Sequence, residues 1–118
     1  MTCPYERFRQ DFYDLLDPRF YTPEWLDAQV WCGTFRVFGD DNACILVSLK
    51  TYPTGAYELH GEAAAGDLSA ITDLIRRAED WGRSIGCVSA SIASREGWAR
   101  HLAKDGWKTH QVVLRKDL

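Results

Sequence analysis

One unbroken apolar stretch constrains the fold more than any other part of the sequence. Residues 43–50, ACILVSLK, are nearly all apolar and lie between two sequences typical of turns, residues 39–42 (GDDN) and 53–55 (PTG). A short apolar run between turns favours a β-strand that is buried on both of its faces. The chain is therefore expected to form a sheet that carries other elements on each side of this strand.

The segments around this run predict an antiparallel meander that follows two helices. Residues 31–38 and 56–64 are typical of strands, and short turns join them to the central strand. Apolar side chains at helical spacing predict a first helix over residues 4–16, which Pro18 ends. Thr22 and Pro23 mark the start of a second, short helix through Gln29.

After Gly66 the pattern changes to alternating helices and strands. Asp67 is placed to cap a helix over residues 68–84, and Gly86 is suited to ending it. A strand over 87–93, a helix over 95–105 and a final strand over 109–115 follow. The predicted fold class is α/β, more strictly α+β, with a mixed, mostly antiparallel sheet flanked by helices. Its order is α-α-β-β-β-α-β-α-β, in one domain over residues 1–118.

Composition excludes several classes of function. The chain has 118 residues, 46% hydrophobic and 26% charged, with a net charge of −3. This balance is that of a globular domain, and its acidity argues against binding nucleic acid. No apolar run is long enough to cross a bilayer, so no membrane association is expected. Residues 1–7 contain no apolar signal region, and we expect a cytoplasmic protein.

The four cysteines do not indicate a metal centre. Cys3, Cys32, Cys44 and Cys87 contain no CxxC pair and no clustered histidine, so no metal is expected. The last three lie in apolar segments, where free cysteine behaves as a small apolar side chain. We expect these three to be buried, reduced thiols.

Three polar residues of the third strand are candidates for catalysis. Glu58, His60 and Glu62 alternate along residues 56–64, so all three are expected on one face of the sheet. A carboxylate or imidazole there could accept a proton from an amine as a general base. The competing interpretation is a solvated polar face, with Tyr57, Leu59, Gly61 and Ala63 directed into the core.

The order of elements and the second half of the chain resemble the GNAT superfamily of acetyl-CoA-dependent N-acyltransferases. The stretch from Ala70 to Trp107 carries the resemblance: a helix leads to a glycine and a strand, and Gly106-Trp107 stands where the family has a Gly-Phe pair. The resemblance implies a GNAT fold over residues 31–118, with acetyl-CoA as the cofactor of active members. In size and pattern the chain is also similar to small GNAT-like proteins of tailed bacteriophages and prophages, some of them located in the virion.

The stretch that corresponds to the family's cofactor loop departs from the family pattern. Family members hold the pyrophosphate of acetyl-CoA with a loop of the form Gln/Arg-x-x-Gly-x-Gly/Ala before the long helix, where backbone N–H groups and the helix dipole attract the anion. The matching cofactor-binding positions here are Ala65, Gly66, Asp67, Leu68 and Ser69. Gly66 takes the place of the Gln or Arg, and Asp67 adds a carboxylate that repels an anion. Leu102 takes the place of a tyrosine that protonates the leaving thiolate in many members.

Two hypotheses for function follow. The first is a degenerate GNAT-fold protein, a pseudoenzyme that binds no acetyl-CoA and acts through a protein partner or as a homo-oligomer. The second is an active N-acyltransferase with an atypical loop, in which backbone amides of residues 65–69 bind the pyrophosphate and Glu58 or Glu62 is the base. We favour the first, because a carboxylate replaces the basic, glycine-rich anion site.

Overall fold

The structure, a computed structural model, describes residues 3–118 and confirms the predicted order of elements from the first helix to the last. The helices and strands are α1 (Pro4–Leu15), α2 (Pro23–Trp31), β1 (Arg36–Gly39), β2 (Ala43–Thr51), β3 (Tyr57–Gly66), α3 (Leu68–Ser84), β4 (Cys87–Ile92) and α4 (Glu96–Leu102), with a 3₁₀ turn at Ala103–Asp105. Among the described residues, none of the helices has the length and apolarity that crossing a membrane requires.

The strands form one mixed sheet in the order β1-β2-β3-β4. The pairs β1–β2 and β2–β3 are antiparallel, as expected for a meander. The strands β3 and β4 are parallel, because α3 carries the chain back along one face of the sheet between them. A mixed, mostly antiparallel sheet is thus confirmed.

The first five residues of the central strand β2, Ala43–Val47, are buried on both faces as the apolar run predicts, whereas Leu49 is 44% exposed. Ala43, Ile45 and Val47 pack against α3, in a core that also contains Leu59 and Leu74. The alternate residues of β2 lie in a second core beneath α1 and α2, whose members are Tyr5, Phe12, Leu26, Phe35, Cys44, Leu46 and Ala65. Because successive side chains of a strand point to opposite faces, β2 supplies residues to both cores.

A buried carboxylate joins α1 to α2. Asp27, on α2, accepts hydrogen bonds from the hydroxyls of Tyr5 at 2.6 Å and Tyr13 at 2.7 Å. The Arg9 guanidinium donates to the same carboxylate at 2.5 Å. Burial acts to raise the pKa of Asp27, but these three donors outweigh it and hold the pKa below its usual value. The ionised carboxylate fixes the helix pair that covers one face of the sheet.

The predicted final strand does not form. Residues 109–115 have no regular structure, and Val112, Val113 and Leu114 are 75%, 78% and 89% exposed. The end of the chain lies beside the loop between α1 and α2, where Asp117 accepts a hydrogen bond from Arg19 at 2.9 Å. A strand needs a neighbouring edge to pair with, and the segment contacts this loop instead.

The cysteine prediction is partly wrong. Cys44 is buried as expected, and burial raises the pKa of its thiol to about 12. Cys87 is half-buried, whereas Cys32 is exposed because it follows α2 and forms the cap of that helix. The cap leads into a turn at Gly33, which has a positive φ of 85°, so the chain leaves the core at this point.

The glycine that ends β3 gives a test of the fold. Gly66 has a φ of +113°, and a side chain there would lie 2.6 Å from the Cα of Ala43. Gly55 has a φ of +87° and nothing within 4 Å of the same position. Both alanine substitutions strain the backbone because of the positive φ. The difference between their effects on the free energy of unfolding therefore isolates the collision with β2.

We expect Gly66→Ala to lower the free energy of unfolding by about 2 kcal/mol more than Gly55→Ala does, as overpacking costs in other cores. Urea unfolding followed by circular dichroism measures both values. Equal losses for the two variants would contradict the close approach of β3 to β2 at Gly66.

Candidate functional site

The sheet opens between β3 and β4. Their pairing runs from Tyr57 opposite Cys87 to Gly61 opposite Ile92. Beyond this point β3 continues to Gly66, whereas β4 ends. A side chain at Gly61 would lie 2.5 Å from the Cγ2 atom of Ile92, so only a glycine lets Ile92 pack here. The two strands therefore separate and leave a cleft in the sheet.

The cleft has a volume of about 370 Å³ and is lined mostly by apolar side chains. Those that define its walls are Ala63, Ala64, Ile71, Ile75, Trp98 and Trp107. The charged residues at its wall are Glu62, Glu79 and Arg95. Burial raises the pKa of the Glu79 carboxyl, and the nearby Arg83 opposes this effect. The lining suits an apolar group, and the volume lies in the range of small-molecule sites.

The predicted cofactor-binding loop lies at the N-terminus of α3. Ala65 is buried in the core beneath α1 and α2, while Gly66, Asp67, Leu68 and Ser69 are exposed. The backbone N–H of Asp67 donates to the carbonyl of Asn42 at 2.9 Å, which ties the loop to the turn between β1 and β2. The five residues form the junction between β3 and α3.

The side chain of Asp67 caps α3, as predicted. Its Oδ2 atom accepts hydrogen bonds from the Ser69 hydroxyl at 2.7 Å and from the backbone N–H of Ala70 at 3.2 Å. The Ser69 hydroxyl, and then this backbone N–H, hold the pKa of Asp67 below its usual value. A fixed negative charge therefore lies at the end of the helix that would otherwise attract an anion.

Glu58 is the centre of a network of hydroxyl groups. Its Oε1 atom accepts hydrogen bonds from Ser91 at 2.7 Å and Tyr52 at 3.0 Å, and its Oε2 atom accepts one from Ser89 at 2.7 Å. The bonds from Ser89 and Ser91 lower the pKa of Glu58. A carboxylate stabilised by three donors is a weak base, so Glu58 is better suited to orienting its neighbours than to accepting a proton.

His60 joins this network through Ser91. The Nδ1 atom of His60 lies 2.9 Å from the Ser91 hydroxyl oxygen. That hydroxyl donates its one hydrogen to Glu58, so this network assigns the Nδ1–H of His60 as the donor to Ser91. The Nε2 atom is then the proton acceptor of the imidazole. Burial lowers the pKa of His60, although the nearby charge of Glu62 acts to raise it.

Glu62 lies on the same face, as the alternation predicts, but the strand pairing is interrupted at this residue. Leu46 pairs with Ala63 and Val47 pairs with Gly61, so Glu62 is the extra residue of a β-bulge. Its Oε1 atom accepts a hydrogen bond from Ser48 at 2.6 Å, and Ser48 lies opposite His60. After the bulge the alternation reverses: Ala63 packs beneath α1 and α2, and Ala64 faces α3. The expectation that Tyr57 points into the core is also wrong, because it is 43% exposed.

Four hydroxyl residues of this cluster were not identified from the sequence: Ser48, Tyr52, Ser89 and Ser91. For the last two a signal existed, because Ser89 and Ser91 alternate in β4 as Glu58 and His60 do in β3. A β-α-β unit places its strands side by side, so the two alternations could have been paired. Within residues 3–118, no three His, Cys, Asp or Glu side chains are grouped as a metal site.

Comparison with solved structures identifies the architecture. A Trypanosoma brucei acetyltransferase superposes with a TM-score of 0.71 at 18% identity, covering 98% of this chain and 93% of that chain. Glucosamine-6-phosphate N-acetyltransferase from Arabidopsis thaliana superposes with a TM-score of 0.68 at 14% identity, and the match covers 93% of this chain and 88% of that chain. The chain has the GNAT fold. A predicted acetyltransferase from Clostridium acetobutylicum, solved with acetyl-CoA, is also similar, with a TM-score of 0.64 at 10% identity. The match covers 94% of this chain and 84% of that chain. No protein-family model and no curated protein sequence matches the chain.

Asp67 and Leu102, the two residues at which the sequence departs from the family pattern, each lie at a helix end. Asp67 occupies the start of the helix that follows the opened strand β3. Leu102 is the last residue of α4 and is only 1% exposed. An apolar, buried side chain at this position cannot donate a proton to a leaving group.

The pKa of His60 gives a test of the polar cluster. Because burial lowers the pKa in the folded state below the usual value of 6.5, the unfolded chain takes up a proton first as the pH falls. The stability associated with neutral His60 is therefore present above pH 6.5 and is lost as the pH falls from there towards the lower folded-state pKa.

We expect His60→Asn, which keeps a donor for Ser91, to remove this loss. Between about pH 7.5 and 5.5 the variant should lose less stability than the wild type, by at most about 1.4 kcal/mol for each pH unit. Urea unfolding at the two pH values measures the difference. His110 is exposed, so His110→Asn serves as the control. Identical pH dependence in His60→Asn and the wild type would contradict the burial of a neutral imidazole.

Proposed function

We propose that this GNAT-fold protein does not use acetyl-CoA and acts by binding a protein partner. One observation carries the proposal: the carboxylate of Asp67 occupies the N-terminus of α3 and accepts the backbone N–H of Ala70. In the GNAT resemblance this is the helix end that holds the pyrophosphate. A helix N-terminus that is already neutralised by its own chain offers an anion little further stabilisation.

The side chains around Asp67 support the proposal. At the positions where the family pattern has glycines, this chain has Ser69 and Ile71. Ile71 is 4% exposed and packs in the core beneath α3, so it cannot move aside for a phosphate. The basic residue of the family pattern is replaced by Gly66. The loop therefore lacks the charge and the close backbone approach that a diphosphate requires.

Exposed apolar side chains support a role in protein binding. Phe20 and Trp31 are 57% and 66% exposed, and Val88 on the edge of the sheet is 74% exposed. Aromatic side chains are enriched at protein interfaces because they bury a large area at a small entropic cost. We propose that a partner covers part of this apolar surface.

A second candidate is an active N-acyltransferase, and the cleft with its polar neighbours favours it. The apolar cleft between β3 and β4 could hold an acyl chain. The Glu58–Ser91–His60 network would keep the Nε2 atom of His60 ready to accept a proton from an amine. In this candidate the backbone amides of residues 65–69 would bind the pyrophosphate despite Asp67. The cofactor is therefore the point on which the two candidates differ.

Calorimetric titration with acetyl-CoA distinguishes the candidates. We expect no binding to the wild type at millimolar ligand, because Asp67 and the side chains at 69 and 71 exclude the pyrophosphate. Asp67→Asn keeps a good capping side chain and removes the charge, whereas Asp67→Ala removes both. We expect both variants to remain unable to bind, and only Asp67→Ala to lose about 1 kcal/mol of stability.

The outcomes have separate meanings. Micromolar binding by the wild type would overturn the proposed function and favour the acyltransferase. In that case Asp67→Asn should bind more tightly, and His60→Asn should lower the rate of acetyl transfer without changing acetyl-CoA affinity. Binding by Asp67→Asn alone would mean that the charge of Asp67, and not the shape of the loop, excludes the cofactor.

A further inference from the structure

A half-buried carboxylate on α3 lies at the wall of the cleft. Glu79 lines the cleft between β3 and β4, and its side chain is only 19% exposed. It also lines a second cavity, of about 160 Å³, towards the start of β4. An ionised carboxylate loses favourable hydration when it is buried, so it needs a positive charge or hydrogen-bond donors nearby. The two cavities leave room beside Glu79 for a group that supplies them.

The protein itself compensates the charge of Glu79 poorly. Its ion pair with Arg83 is 3.9 Å long, beyond hydrogen-bond distance, and the same guanidinium is bonded to Asp80 at 2.9 Å. Arg76 is likewise bonded to Asp105 at 3.3 Å and to a second carboxylate of α3 at 3.1 Å. Around this stretch of α3, four carboxylates therefore share two guanidinium groups. The local excess of charge is negative.

The other residues that line the cleft also favour a cation over an anion. Glu62 contributes a second carboxylate. Among the described residues of the lining, Arg95 is the only basic one, and it is exposed to solvent, which screens its charge. Trp98 and Trp107 form part of the wall, and the faces of tryptophan rings attract cations.

An arginine side chain has the chemistry that these walls require. Its methylene groups suit the apolar lining, and its planar guanidinium can stack on tryptophan and donate paired hydrogen bonds to a carboxylate. The chain already contains one such stack, since the guanidinium of Arg36 lies 4.5 Å from the ring centre of Trp81. A lysine ammonium carries the same charge but is more strongly hydrated and lacks the planar fork. Arginine is also enriched among the residues that dominate binding energy at protein interfaces.

We propose that the cleft between β3 and β4 receives an arginine side chain of a protein partner, with its guanidinium on Glu79 and against Trp98 and Trp107. This inference rests on the proposed function and deepens it, because a cleft that holds no acetyl-CoA is free for a side chain of the partner. The apolar lining keeps water from the contact, so the paired charges interact more strongly than an exposed ion pair does.

NMR titration of the full chain with three small probes tests the charge and the shape of the ligand. N-propylguanidinium is the arginine side chain itself, N-propylurea has the same planar shape without the charge, and butylammonium is the lysine side chain. We expect N-propylguanidinium to bind in the millimolar range, about tenfold more tightly than N-propylurea and also more tightly than butylammonium. The amide signals of Ile75 and Glu79 should shift, because both residues line the cleft.

Substitution of Glu79 tests which carboxylate holds the guanidinium. We expect Glu79→Gln to bind N-propylguanidinium about tenfold more weakly than the wild type does. Its affinity for N-propylurea should be unchanged, which reports that the cleft is intact. Asp80→Asn is the matched control, because Asp80 is the next residue of α3, is 79% exposed and does not line the cleft. Loss of binding in Glu62→Gln but not in Glu79→Gln would overturn the assignment.

Two peptides test whether the arginine belongs to a protein. An acetylated and amidated Ala-Arg-Ala peptide should bind at least as tightly as N-propylguanidinium. The same peptide with citrulline, the urea analogue of arginine, should bind about tenfold more weakly. A small probe that binds while the arginine peptide does not would contradict a protein as the source.

Equal binding of N-propylguanidinium and N-propylurea overturns the inference, and so does equal binding of N-propylguanidinium and butylammonium. The acetyl-CoA titration separates this result from the proposed function. A chain that binds acetyl-CoA and still prefers the guanidinium contradicts only the proposed function, and a chain that binds neither contradicts only the arginine site.

Discussion

The end of pairing between β3 and β4 is the constraint on which the rest of the molecule depends. At Gly61 the missing side chain admits Ile92, and one residue later the bulge at Glu62 reverses the faces of β3. Before this point the two strands hold the polar network of Glu58 and His60 between them. After it they separate and form the apolar cleft. A single pair of positions thus divides the sheet into a polar, paired half and an apolar, open half.

The sequence predicts those parts of the fold whose signals are local. The limits of α3 could be placed at residues 68–84 because Asp67 caps its start and Gly86, at a φ of +92°, follows its end. The burial of Ala43–Val47 of β2 on both faces was evident from the apolar run. The strand predicted at 109–115 has the right composition, but composition does not provide a pairing partner. Whether an isolated segment becomes a strand depends on an edge elsewhere in the molecule, or in another copy of it.

In the candidate site, too, the sequence of one strand predicts some features, and the pairing of strands determines the others. That Glu58 and His60 share a face follows from the alternation of one strand. The alternation also places Glu62 on that face, whereas the reversed faces of Ala63 and Ala64 depend on the pairing of β3 with β2, which contains the bulge. The geometry also separates the roles of the candidates. Three hydroxyl donors make Glu58 a stable anion, whereas burial keeps His60 neutral with Nε2 as its acceptor.

Asp67 shows how the stability of a fold and the binding of a cofactor can compete for the same atoms. A helix start has unsatisfied N–H groups that either a ligand or a capping side chain can use. A capping carboxylate stabilises α3 by about 1 kcal/mol at all times, whereas a bound anion does so only when it is present. Under the proposed function, the chain gains stability from the permanent cap and has no need of the helix end for a cofactor. The open cleft then persists because the bulge and Gly61 are built into the sheet, whether or not a cofactor enters.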